Sequence, residues 1–257
     1  VVAVFSSVAM SGIPGGGGTG EMVLCSIPSA SAMLSTDISS SEIMHIILSR
    51  VESTNTLNKS AMSNKTSFKL RDDEVNERRI INMEQKKLIA GYAAQLVRPD
   101  DFVFIDAGTT TEYLPEYLTE KNAVYVTNAV THAQRLASRG FNVYLIGGRL
   151  KPSTEAAVGA DATEALLRYN FTIGFWGTNG IHKRVGFTTP DREEADVKQV
   201  SIRSCKKPYI LADSTKFGAI SPVKFADFDD AAIITEAVPR GYENSKNIII
   251  AERRDAK

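Results

Sequence analysis

From Leu70 onward, short apolar runs alternate with amphipathic stretches, and this alternation restricts the possible folds more than any single motif. The apolar runs fall at 102–106, 123–127, 142–146, 172–176, 209–212 and 231–235. Helical patterning separates them at 111–118, 130–138, 161–168 and 192–205, and precedes them at 84–97. In that first stretch Leu88, Ile89, Tyr92, Ala93, Leu96 and Val97 share one face, and Pro99 stops it. Runs of this kind predict an α/β fold, a mostly parallel sheet with helices on both faces. Ligands of such sheets sit beyond the carboxyl ends of the strands, so those ends are where function is sought.

The strand ends share one chemistry. The first gives Asp106-Ala-Gly108-Thr109-Thr110-Thr111, the second Thr127-Asn128, and the third Gly147-Gly148-Arg149. The fourth gives Gly177-Thr178-Asn179-Gly180 and the fifth Asp213-Ser-Thr-Lys216. Each alone is ordinary turn chemistry. Together they predict a cleft of amides, hydroxyls and two cations, suited to a polar, anionic small molecule. Gly108 permits a tight turn, and the amides of Thr109 to Thr111 are expected at the start of a helix over 112–118, a place that favours phosphate. Lys216 and Arg149 are candidates to neutralise the anion, and Asp106 to accept from a sugar hydroxyl. No P-loop lysine follows Gly108, so a strand-to-helix turn with threonine caps is the competing reading. Glu194 and Lys198, four apart on a helix, read from spacing as a surface ion pair.

At 257 residues and 43% hydrophobic content the chain can bury a large core. A formal charge of zero argues against a broadly basic nucleic-acid surface. Cys25 and Cys205 are too few for a disulfide framework, which suggests a reducing, cytoplasmic setting. His45, His132 and His182 have no metal-ligand spacing, so neither metal nor cofactor is expected. No apolar run reaches membrane-spanning length.

Three segments are expected: an atypical N-terminal one at 1–65, a folded α/β domain at 66–240 and a tail at 241–257. The glycine run at 15–20 lacks the lysine and the strand–loop–helix frame of a phosphate loop and reads as a flexible linker. Ser39 and Glu42 form a capping-box pattern ahead of an apolar helix over 43–51. With Arg50 its only basic residue, that helix is poorly suited to reading DNA.

The set Glu84-x-Lys86-x-x-Ile89-Ala90, Asp106-x-Gly-Thr-Thr110, Thr127-Asn128, Gly147-Gly148, Gly177-Thr178-Asn179-Gly180, Glu194-x-x-x-Lys198 and Asp213-x-x-Lys216 resembles the C-terminal sensor domain of the DeoR family of bacterial transcriptional regulators. The likeness covers residues 68–239. It implies a ribose-5-phosphate isomerase-like fold, a phosphorylated sugar as effector, and an oligomeric repressor whose grip on operator DNA changes with that effector. Carried over by position, Gly108 to Thr111 hold the phosphate, while Asp106, Thr127, Asn128, Asn179 and Lys216 line the remaining pocket. Gly148, Arg149, Thr178 and Lys198 complete the candidate set.

The resemblance stops short of the N-terminus. Residues 1–60 show no helix-turn-helix pattern, which points to a replaced, truncated or out-of-frame DNA-binding segment. Two alternatives follow: an effector-binding protein without DNA function, and a sugar-phosphate isomerase. Isomerisation needs a carboxylate base beside the substrate carbonyl. Ribose-5-phosphate isomerases carry an acidic loop where this chain has 177–181, a loop without a carboxylate, so no enzymatic activity is expected.

Overall fold

A computed structural model describes residues 67–68 and 75–252. The N-terminal glycine run and the capping-box helix fall outside the described residues. In chain order the elements are β1 (Ser67–Phe68), α1 (Val75–Ile80), α2 (Met83–Ala94), β2 (Phe102–Ile105), α3 (Leu114–Tyr117), β3 (Val124–Thr127), α4 (Val130–Ser138), β4 (Asn142–Leu145), β5 (Arg149–Lys151) and β6 (Ala156–Val158). There follow α5 (Ala160–Leu166), β7 (Ile173–Gly177), β8 (Gly180–His182), β9 (Gly186–Thr189), α6 (Arg192–Arg203), β10 (Pro208–Leu211), β11 (Ala219–Ile220), β12 (Val223–Ala226), β13 (Ala232–Thr235) and β14 (Ile248–Ile250).

Seven of the strands form one sheet in the order β14-β13-β10-β7-β2-β3-β4, and every neighbouring pair is parallel. The expected α/β architecture is therefore present, and its six anticipated strands are all in this sheet. The seventh is β14, contributed by the stretch expected to be a tail. Its three isoleucines align with Ile233, Ile234 and Thr235.

Alternate residues along each strand feed opposite faces. On one face Phe104, Val126, Trp176, Ile210 and Ile233 pack with Ala195, Val197 and Ile202 of α6. On the other Val103, Ile105, Tyr125, Phe175, Leu211 and Ile234 pack with Ile89, Ala90 and Ala93 of α2 and Leu136 of α4. Burial on both faces explains why these strands read as continuous apolar runs rather than alternating ones.

The strand order places the site. After β2 the chain moves outward through β3 to β4, then returns to the other side of β2 as β7 and proceeds through β10 and β13. The order reverses between β2 and β7, so the loops leaving their carboxyl ends diverge and open a crevice. A hairpin of β5 and β6 and a three-stranded antiparallel sheet, β12-β9-β8, flank that end. Among the described residues no helix is long and apolar enough to cross a membrane.

Candidate functional site

The crevice between β2 and β7 is a cleft of about 650 Å³ including its open mouth. Ala107, Gly108, Thr109 and Thr110 form one wall and Gly177, Thr178 and Asn179 the facing one, with Gly108 and Gly177 backbones in close approach. A Cβ on Gly108 would lie 3.7 Å from the Gly177 Cα and 3.2 Å from Thr111 Oγ1. The rim and floor come from Arg78, Arg79, Glu112, Thr131, His132, Thr154, Glu194, Lys198 and Lys216.

The loop after β2 is held from behind. Thr111 Oγ1 donates to the Asp106 carbonyl at 2.6 Å and to that of Gly108 at 3.0 Å. Asn128 Oδ1 accepts from the Ala107 amide at 2.9 Å, and its Nδ2 donates to Ala157 O at 3.3 Å. Thr127 Oγ1 donates to Ile105 O at 2.6 Å. With those anchors in place, the amides of Gly108, Thr109 and Thr110 have no hydrogen-bond acceptor among the described residues. Consecutive amides without acceptors at the wall of a cleft are donors that an anion could use. The helix expected over 112–118 is instead a 3-10 turn, Thr111–Tyr113, followed by the four-residue α3. Pro115 at its second position breaks the continuity, so the donor array rests on loop amides and not on a helix dipole.

Beneath the loops, Lys198 of α6 forms an ion pair with the Asp106 carboxylate. Both side chains are almost wholly buried. Asp106 Oδ2 also accepts from the Gly177 amide at 3.1 Å, and Lys198 Nζ donates to the Gly177 carbonyl at 3.1 Å. Burial raises the Asp106 carboxyl pKa, and the Lys198 ammonium and the Gly177 N–H oppose that rise. The carboxylate expected to meet a sugar hydroxyl thus clamps the two cleft loops together.

Glu194 and Lys198 do not pair as their spacing suggested. Their side chains diverge, because Glu194 turns toward the β5–β6 hairpin, bonding Lys151 Nζ at 2.9 Å and Thr154 Oγ1 at 2.9 Å. Arg149 points away from the cleft and pairs with Glu193 at the exposed surface. Gly148 has a positive φ of 140°, and a Cβ there would lie 2.8 Å from Val158 O. Its place is a packing constraint beside α5.

The structure therefore gathers Gly108, Thr109, Thr110, Thr178, Asn179, Lys198 and Lys216 at one cleft. Asp106, Thr111, Thr127 and Asn128 stand behind it as supports, and Gly148 and Arg149 lie apart. Sequence reasoning missed Arg78, Arg79, Glu112, Thr131, His132 and Thr154. Glu112 has an interior role: Oε2 accepts from Arg79 Nε at 2.8 Å and Oε1 from Arg135 Nη2 at 3.0 Å. None of these six belongs to a strand-end motif, and only the topology brings them to the crevice. Among the described residues no cluster of His, Cys, Asp or Glu could hold a metal ion.

The family model of the DeoR C terminal sensor domain matches residues 81–237. The chain belongs to this family. The DeoR sensor domain here is 43% identical over 155 residues to the uncharacterized HTH-type transcriptional regulator FruR of Bacillus subtilis, covering 60% of this chain and 62% of that relative. It is 33% identical over 161 residues to the HTH-type transcriptional regulator GlpR of Haloferax volcanii, covering 62% and 63%. The lactose phosphotransferase system repressor of Staphylococcus aureus is 29% identical over 191 residues, covering 73% and 74%. The chain spans less than two thirds of the first two of these relatives. Ribose 5 phosphate isomerase A from Neisseria gonorrhoeae overlaps 54% of each chain at 14% identity with a TM-score of 0.38, an overlap too slight to bear on this chain.

Proposed function

We propose that this DeoR sensor domain binds a phosphorylated sugar and belongs to a transcriptional regulator, a repressor of sugar metabolism acting on operator DNA as a cytoplasmic homo-oligomer. One observation carries the ligand reading: three consecutive free amides, at Gly108, Thr109 and Thr110, line a cleft that also takes in Lys216. A phosphate ester fits that array, since loop amides supply directed donors and a lysine supplies charge. With Lys198 matched by Asp106, the cleft is lined by Arg78, Arg79 and Lys216 against Glu112 and Glu194, a balance that favours an anion. The regulator reading draws on the relatives, whose names describe HTH-type transcriptional regulators and a lactose phosphotransferase repressor.

Turnover has little support. Glu112 and Glu194, the carboxylates lining the cleft, are each tied to cations, and the 177–181 loop has no acid. Neither is free to act as the base that isomerisation requires.

A thermal-shift screen of phosphosugars tests the reading. A true ligand stabilises the fold by about 2.7 kcal/mol at a hundredfold excess over its Kd. The shift should vanish in Lys216→Ala and shrink in Thr110→Val. A gel-shift assay then asks whether the same compound relieves sequence-specific retardation of DNA. If no phosphosugar shifts the melting temperature, the ligand assignment is wrong.

A further inference from the structure

The wall of the cleft formed by α4 contains a polar atom that the fold leaves unmatched. His132, in the first turn of α4, is 2% exposed and lines the cleft. Its Nδ1 is buried and has no hydrogen-bond partner among the described residues. Buried polar atoms are almost always paired, so an unmatched one on a side chain that lines a cavity marks a place for a ligand group.

The charged groups around His132 are already matched to one another. Arg79 and Arg135 both bond Glu112, as described above, and Glu194 bonds Lys151 and Thr154. The imidazole is also neutral. Burial, reinforced by Arg135 and Arg79, pushes its pKa down to about 3. A neutral ring adds no charge to hold a phosphate, but it exchanges one directed hydrogen bond with an uncharged hydroxyl.

We propose that His132 reads a hydroxyl on the carbon chain of the phosphorylated sugar, through Nδ1, while the Gly108–Thr110 amides hold the phosphate. The inference rests on the phosphate-ester reading above and adds the side chain that discriminates among such esters. A site built around a hydroxyl rejects compounds lacking it, because the protein atom is then left unpaired.

The test uses the full chain with ribose 5-phosphate, fructose 1-phosphate, fructose 6-phosphate and inorganic phosphate as probes in calorimetric titrations. His132→Phe should weaken the best phosphosugar by about tenfold or more and leave inorganic phosphate unchanged. His132→Gln, which restores a polar group, should recover part of that loss. Imidazole nitrogen NMR of the unaltered chain guards against a variant that fails to fold: the Nδ1 signal should move with the phosphosugar and not with inorganic phosphate. A phosphosugar that binds without moving that signal, or equal losses for sugar ester and phosphate, overturns the role of His132 and leaves phosphate binding standing. Failure of every phosphosugar to bind the unaltered chain overturns the parent reading and this one with it.

Discussion

Lys198 and Asp106 meet beneath the crevice, one from α6 and the other from the end of β2, and both reach Gly177 on β7. The pair joins the two loops that diverge at the reversal in strand order. Its side chains are 5% and 2% exposed, so neither ion can fall back on water when its partner is removed. Breaking a buried pair from one side costs about 3–5 kcal/mol, whereas replacing both partners with apolar groups is often neutral. Lys198→Met should therefore lower unfolding stability by that amount, and Asp106→Leu combined with Lys198→Met should recover most of it. Urea unfolding of the two single variants and the double decides the point. Additive losses would show that the pair is not the clamp described.

The centre of the sheet could be read in the sequence because β2, β3, β7, β10 and β13 are buried on both faces, which leaves an apolar run for each. Short edge elements gave no such signal. The segments 149–151, 156–158 and 180–182 contain three residues each, too few to show a period, and β14 follows a long polar stretch. At the site, the glycines and threonines of two strand ends, Gly108 to Thr110 and Gly177 to Thr178, lie at the cleft walls. The sequence did not reveal the direction of each side chain. Spacing suggested a Glu194–Lys198 pair because four residues make one helical turn, but each found a stronger partner from another element. Arg79 and His132 were illegible for a different reason: they lie on helices, and only the tertiary packing of those helices brings them to the crevice.

Stability should depend on pH through His132. The folded-state pKa is about 3 against an ordinary 6.5. Between those values the unfolded chain binds the extra proton and the folded chain does not, so acidification favours unfolding. Stability should be complete above about pH 6.5 and fall by up to about 1.4 kcal/mol per pH unit below it. His132→Phe should flatten this part of the profile, measured as urea midpoints from pH 8 to pH 4. An unchanged slope in the variant would mean that the ring is not buried in its neutral form.

Glu112 joins α1 to α4, accepting from Arg79 on the first and Arg135 on the second. Its side chain is only 12% exposed, while the two arginines are 33% and 42% exposed. Partial solvent access screens each pair, so Glu112→Gln should cost only about 1–2 kcal/mol in global stability. The local effect should be larger, because α1 is a six-residue helix that meets the cleft rim with Arg78 and Arg79, and Glu112 holds the second of these. Hydrogen exchange should quicken at 75–80 in Glu112→Gln and in Arg79→Ala while α2 stays protected. Equal exchange in the variants and the parent would rule out this tether.

Two glycines at strand ends provide a matched contrast. A Cβ at Gly180 would lie 2.4 Å from the Ala219 carbonyl oxygen and 2.7 Å from Thr188 Oγ1. Neither neighbour can yield easily, since the first is backbone of β11 and the second is a buried side chain accepting from the Ser221 amide at 2.9 Å. Gly180→Ala should therefore destabilise by about 1–3 kcal/mol through forced backbone movement. Because Thr178 Oγ1 donates to the Gly180 carbonyl at 2.9 Å, the same movement should displace the Thr178–Asn179 wall and weaken any cleft ligand. Gly147 has open space where its Cβ would stand, with no atom within 4 Å. Gly147→Ala should accordingly leave both melting temperature and ligand affinity near those of the parent. Equal behaviour of the two substitutions in thermal melts would refute the close approach of β8 and β11 on which the contrast depends.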